Sequence, residues 1–229
     1  QLGALDGYLA LARIRQAQGD WAGADAALRA ARDVAAEFDV TEIDDIGVAD
    51  MAARLRIARG DTAAATRWAQ ERGLETTLQS TEPLCDDRRE TRLASQVRAF
   101  EYVTLARLFI AQNKSREALA LLEPLVAAAE QLTFYRALIE IELLRALAYR
   151  ALGDSPRALQ ALSHALALAE PEGFVRAFVD EGSALAQLLH QAASHGIARE
   201  YVGRLLAAFP AEKPSAALSS PKLVEPLSE

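Results

Sequence analysis

Apolar side chains along this chain recur at intervals of three and four residues, as in Ala118-Leu121-Leu122-Leu125 and Leu159-Leu162-Ala165-Leu166. That spacing places them on one face of an α-helix, whereas a half-buried strand alternates every second residue. The helical runs break at Gly19-Asp20, Gly60-Asp61, Asn113-Lys114 and Gly153-Asp154. Glycine and asparagine tolerate the left-handed conformation that ends a helix. Each break therefore predicts a turn between two helices, giving four helix hairpins.

Superposing the four turns aligns the flanking residues. Before the turn, alanines stand five apart: Ala12 and Ala17, Ala53 and Ala58, Ala106 and Ala111, Ala146 and Ala151. Five residues past it come Ala24, Ala65, Ala118 and Ala158, followed by Leu28, Leu122 and Leu162, with Trp68 one residue off register in the second unit. Small residues are expected where the helices of a hairpin cross closely, and large ones between successive hairpins. This arrangement resembles the tetratricopeptide repeat, with its Gly at the turn and Ala at the crossing. The turns are 41, 53 and 40 residues apart, counted from Gly19 to Gly60, Asn113 and Gly153. The usual period is about 34, so longer helices or loops are expected. The predicted fold is all-α, a superhelical stack of tetratricopeptide-like hairpins, or α-solenoid.

The longest gap contains Glu75 to Arg92, rich in Thr, Ser, Asp and Arg with Pro83, and predicts a loop over 73–88. The run Asp86-Asp87-Arg88-Arg89-Glu90 fits a helix start, where acids are favoured. Beyond the fourth hairpin, Pro171, Gly173 and Gly182 break the chain, and two helices are expected over Ser183–His195 and Ala198–Phe209 as a cap. From Pro210 the composition turns to Pro, Ser, Lys and Glu. The division is a repeat domain over 1–209 and a linker over 210–229.

Composition supports helices. Hydrophobic residues make up 51% but aromatics only 6%, so the apolar content is mostly Ala and Leu, strong helix formers. The net charge of −7 argues against this segment being a phosphate-backbone reader. Cys85 is the single cysteine, which excludes an intrachain disulfide and fits a reducing, cytoplasmic compartment. No run of 18 apolar residues or signal peptide is present, so no membrane association is expected. The chain starts at Gln1 without Met and reads as a fragment.

A second resemblance rests on longer stretches. Ala167-Leu168-Ala169-Glu170-Pro171-Glu172-Gly173-Phe174-Val175-Arg176-Ala177-Phe178-Val179-Asp180-Glu181-Gly182, then Leu188-Leu189 and Tyr201-Val202-Gly203-Arg204-Leu205-Leu206-Ala207-Ala208-Phe209, are similar to the sensor region of the large LuxR-type bacterial regulators related to MalT. Trp68-Ala69-Gln70-Glu71-Arg72-Gly73-Leu74 and Phe100-Glu101-Tyr102-Val103-Thr104-Leu105-Ala106-Arg107 resemble the same family. Leu223-Val224-Glu225-Pro226-Leu227-Ser228-Glu229 resembles the lead-in to its helix-turn-helix. The resemblance implies a nucleotide-binding switch, a repeat sensor and a DNA reader, of which this segment is the sensor. No Gly-x-x-x-x-Gly-Lys-Ser/Thr loop occurs in it, and DNA contact is expected only through the domain beyond.

Candidate chemistry is sparse. His190 and His195 are five apart, a poor match to a helical metal pair. His164 has no clustered partner, Cys85 has no neighbouring His, and no Gly-x-Ser-x-Gly elbow occurs. No enzyme activity, metal or other cofactor is expected. In a superhelix the first helix of each hairpin lines the concave groove. Arg13, Arg54 and Arg107 recur there at one repeat position, with Asp6, Asp50 and Glu140 nearby. Two readings stand open: a polar ladder that binds a ligand, or exposed inter-repeat ion pairs worth ~0.2–1 kcal/mol each. Substituting Arg54 and Arg107 together by Ala is then expected to leave the helical signal intact. Arg98, Tyr102, Tyr135 and Arg136 are further groove candidates, since aromatic and Arg side chains suit sugars and peptides, while packing between hairpins is the alternative for the tyrosines. The expected partner is a small-molecule effector or regulatory protein, with self-association also expected to be open to it. The alternative is a free-standing scaffold for protein partners.

Overall fold

The computed structural model describes residues 2–37, 42–74, 89–131 and 134–209, without the side chains of 2, 42–45, 89–98 and 131. Among the described residues there are eleven helices and no strand. Four hairpins follow in order: α1 (Leu2–Ala17) with α2 (Trp21–Glu37), α3 (Glu42–Ala58) with α4 (Thr62–Glu71), α5 (Arg89–Ala111) with α6 (Ser115–Gln131), and α7 (Tyr135–Ala151) with α8 (Ser155–Ala169). A single turn, α9 (Arg176–Val179), then leads to α10 (Ser183–Ser194) and α11 (Arg199–Ala208). The expected loop lies almost wholly outside the described residues, as does the 210–229 linker. The two terminal helices start and end within one residue of where the sequence puts them.

The turns share one geometry. Gly19, Gly60, Asn113 and Gly153 have φ of 74, 80, 61 and 78°. One residue on, Asp20, Asp61, Lys114 and Asp154 each donate a backbone N–H five residues back, to the carbonyls of Arg15, Arg56, Phe109 and Tyr149 at 2.8–2.9 Å. This bond closes only when the intervening residue is left-handed, which is why a β-branched residue is absent there. In three turns the aspartate then caps the next helix, as Asp61 Oδ1 does by accepting from the Ala64 N–H at 3.0 Å.

Packing separates the repeat alanines into two sets. Ala12, Ala53, Ala106 and Ala146, with Ala24, Ala65, Ala118 and Ala158, are all 0% exposed. These eight stand where the paired helices cross. Ala58, Ala111 and Ala151 are exposed, and Ala17 is half-buried. Five residues turn a helix by about 140° beyond a full revolution, so both members of a pair cannot face one partner. Leu28, Leu122, Leu162 and Trp68 are buried as expected. The core falls into three consecutive clusters: α1–α3 with Leu5, Leu28 and Met51; α3–α7 with Trp68, Leu105 and Leu122; and α6–α11 with Leu143, Leu162 and Phe178. Phe178 and Tyr201 meet edge to face at 5.9 Å between ring centres, closing the far end.

Candidate ligand cleft and its arginine network

The first helices of the hairpins, α1, α3, α5 and α7, line a cleft of about 1010 Å³, and the segment from Gly173 to Ala184 closes one side. The lining repeats with the fold. Counting from the buried alanine of each first helix, the residue one place later is Arg13, Arg54, Arg107 or Leu147. Four places later it is Gln16, Ile57, Ile110 or Arg150, and five places later it is Ala58, Ala111 or Ala151 in the last three repeats. Steps of three and four residues stay on one helical face, and these positions centre about a quarter-turn round from the crossing alanine, so that flank of each first helix becomes the wall of the cleft.

Two of the ladder arginines are tied into carboxylates. Arg54 donates from Nε to Asp50 at 2.8 Å and to Thr104 Oγ1 at 3.0 Å, and from Nη1 to Glu140 at 2.5 Å. Arg107 donates from Nη2 to the same Glu140 oxygen at 2.7 Å and from Nη1 to Glu181 at 2.5 Å. Glu140 therefore bridges the two arginines, and the chain of bonds runs from α3 through α5 and α7 to the closing segment. Burial opposes ionisation of Glu140, but Arg54 and then Arg107 outweigh it and pull its pKa to about 2. Burial also opposes the Arg107 cation, and Glu181 and Glu140 overcome that and hold it above the ordinary arginine range. The pairs are sheltered rather than exposed: the side chains of Arg54, Arg107, Glu140 and Glu181 are 15, 18, 20 and 6% accessible. Exposed-pair energetics do not apply to them.

The other expected positions scatter. Arg13 lines the cleft but forms no ion pair among the described residues, and Asp6 is exposed and does not line the cleft. Arg136 is exposed on the first turn of α7 and also lines the cleft. Tyr102 is 2% exposed in the second core cluster and does not line the cleft. Its repeat position is two before Thr104 and faces the hairpin core. Tyr135 is 57% exposed and lies outside the lining. Arg98 lies on α5, but its side chain is outside the described residues, as is Cys85. Arg150, Phe174, Arg176, Asp180 and Glu181 line the cleft without having been expected. Arg150 was legible from the four-place register alone. The others come from an irregular segment with no repeat to align.

No lining residue carries a hydroxyl, thiol, imidazole or amine; the titratable side chains of the lining are arginines and the carboxylates Glu140, Asp180 and Glu181. Elsewhere, His164 Nδ1 meets Glu142 at 3.1 Å, and His195 Nδ1 lies 2.8 Å from its own helix's Gln191 carbonyl. Among the described residues no group of three or more His, Cys, Asp or Glu is placed to hold a metal, and no helix is long and apolar enough to cross a membrane.

Residues 2–195 match the family model described as the MalT-like TPR region. No curated protein matches the chain.

Proposed function

Because the chain belongs to the MalT-like TPR region family and is a regulatory repeat domain of a MalT-type protein, we propose that it is the effector-sensing part of a LuxR-type transcriptional regulator, with the effector bound in the cleft. The observation that carries this reading is that three repeats and the closing segment converge on one cleft through one polar network, Arg54–Glu140–Arg107–Glu181. A molecule seated there touches elements from both ends of the stack. Binding biases the domain only to the extent that it favours one arrangement of those elements over another. The Gly173–Ala184 side is joined to the network through Glu181 and to neighbouring helices through the Phe174 and Ala184 carbonyls. DNA contact belongs to a separate helix-turn-helix, and the effector is a small molecule or a regulatory protein.

Ala111→Trp fills the cleft from an exposed position and leaves the hairpin crossings untouched. Compounds that raise the melting temperature of the parent chain should lose that effect in the variant while its circular dichroism stays unchanged. Compounds that stabilise both chains equally would sink the cleft as the effector site. If the residues encoded after Glu229 form no helix-turn-helix, the LuxR-type assignment fails.

A further inference from the structure

We propose that the ligand of this cleft is a small organic anion, its carboxylate or phosphate group held by Arg13 and Arg136 and its apolar body laid on Ile14, Ile57 and Ile110. This rests on the reading of the cleft as the effector site and adds the chemical class.

Charge carries the proposal. The chain as a whole is −7, yet the lining holds six arginines against Glu140, Asp180 and Glu181. Asp50 stands behind Arg54, so two positive charges remain uncancelled. They can be placed. The network of Arg54, Arg107, Asp50, Glu140 and Glu181 sets three carboxylates against two arginines and so offsets one of the three remaining cations, and Arg176 meets Asp180 at 2.8 Å. Arg150 spends its donors on neutral acceptors, the Ala184 carbonyl at 2.5 Å and the Gln187 side chain. Arg13 and Arg136 have no carboxylate partner among the described residues. Arg13 is the more telling of the two, because it is half-buried. Burial first, then Arg54 and Arg136, press against its charge, and Glu140 and Asp50 offset this only in part. Placing cations together without a counter-ion is unfavourable, and an oxyanion from solution relieves it. The cations are all arginine, whose planar fork matches carboxylate and phosphate in two-point contact. Beside them Ile14 is 48% exposed, and Ile57 and Ile110 follow at the next repeats, an apolar wall with no hydrogen-bonding group for a sugar's hydroxyls.

The test is calorimetry on the 229-residue chain with hexanoate, hexyl phosphate and neutral hexan-1-ol. At least one anion should bind at least about tenfold more tightly than the alcohol, and comparing the two separates carboxylate from phosphate as the preferred group. Arg13→Gln with Arg136→Gln should weaken that anion about tenfold or more and leave hexanol unchanged. Neither arginine holds an ion pair among the described residues, so the variant should keep the parent melting temperature. Equal binding of anion and alcohol, or silence from both anions at millimolar concentration, overturns the anionic class and leaves the cleft reading intact. Anion binding that survives both in the double variant and in Ala111→Trp overturns the two together.

Discussion

Arg107 and Glu181 stand 74 residues apart in the chain and 2.5 Å apart in the structure. The bond joins the third hairpin to the segment that closes the cleft, bypassing the fourth. Glu181 is only 6% accessible, so losing its charge leaves Arg107 with a sheltered, half-compensated cation. Glu181→Ala should destabilise the chain by about 3–5 kcal/mol, while Glu181→Gln, which keeps an acceptor, should fall well short of that. Hydrogen exchange should quicken first at the backbone of Gly173–Ala184. Uniform quickening across α1 to α11 would show that the bond does not act locally.

Arg54 should behave as a structural residue. Among the described residues, Arg54→Ala leaves Glu140 with one partner and Asp50, whose Oδ1 already has none, with no partner. A melting-temperature loss corresponding to about 3–5 kcal/mol is expected. Together with Arg107→Ala it should lower the helical signal at physiological temperature, the reverse of what an exposed ladder implies. An unchanged melting curve would restore the exposed-pair reading.

The same network makes the fold acid-sensitive. Glu140 titrates near 2 in the folded chain against an ordinary value of 4.5. Its contribution is complete above about pH 4.5 and drains away as the pH falls towards 2, because the unfolded chain takes up the proton first. Urea midpoints measured from neutral pH to about pH 3 should fall. Glu140→Gln should begin lower and fall less steeply, and parallel curves would rule Glu140 out as the titrating group.

Alanines of the two sets should respond differently to bulk. Ala118→Leu, at a position 0% exposed, should cost about 1–3 kcal/mol by forcing α5 and α6 apart. Ala111→Leu, on the exposed set, should stay within about 0.5 kcal/mol. Denaturant midpoints of the two variants decide it, and equal losses would mean that both sets pack.

Tyr201 ties the terminal helices to the cleft: its hydroxyl donates to the Phe174 carbonyl, and Phe174 lines the cleft. Burial foremost pushes the phenol up to about 12, with Glu170 adding to it and Arg204 opposing. The neutral form is the folded one, so this stabilisation is whole below about pH 10 and lost as the pH rises through 12. Tyr201→Phe should cost about 1 kcal/mol at neutral pH and flatten the alkaline limb of the stability curve.

What could be read from the sequence was whatever the repeat imposed. A left-handed residue every hairpin and an alanine at each crossing are local requirements, so the turns at Gly19, Gly60, Asn113 and Gly153 and the eight buried alanines were visible from spacing. The ladder was visible as a repeated arginine, but its meaning was not. Whether Arg54 faces solvent or a carboxylate depends on Glu140, 86 residues away, and on how far the superhelix curves. Arg13 and Arg107 look alike in the repeat, and only tertiary neighbours make one unpaired and the other locked. Tyr102 stood open between groove and hairpin packing because residue type alone does not say which helical face is inward. Asp180 and Glu181 sit in a segment whose path follows no periodicity.

The bonds running from α3 to the closing segment leave out the first hairpin. Its core is a cluster shared with α3, and among the described residues Arg13 pairs with no carboxylate. The stack is thus an ion-paired block with one plate at its N-terminal end, the first hairpin, joined to it by that apolar cluster and by Arg59, which meets Asp25 at 2.8 Å and donates to the Trp21 carbonyl, and the plate should melt first. An anion clasped by Arg13 from α1 and Arg136 from α7 would weld the plate on. Occupancy would then be reported as later melting of the plate, a mechanical readout that needs no change in the shape of any single repeat.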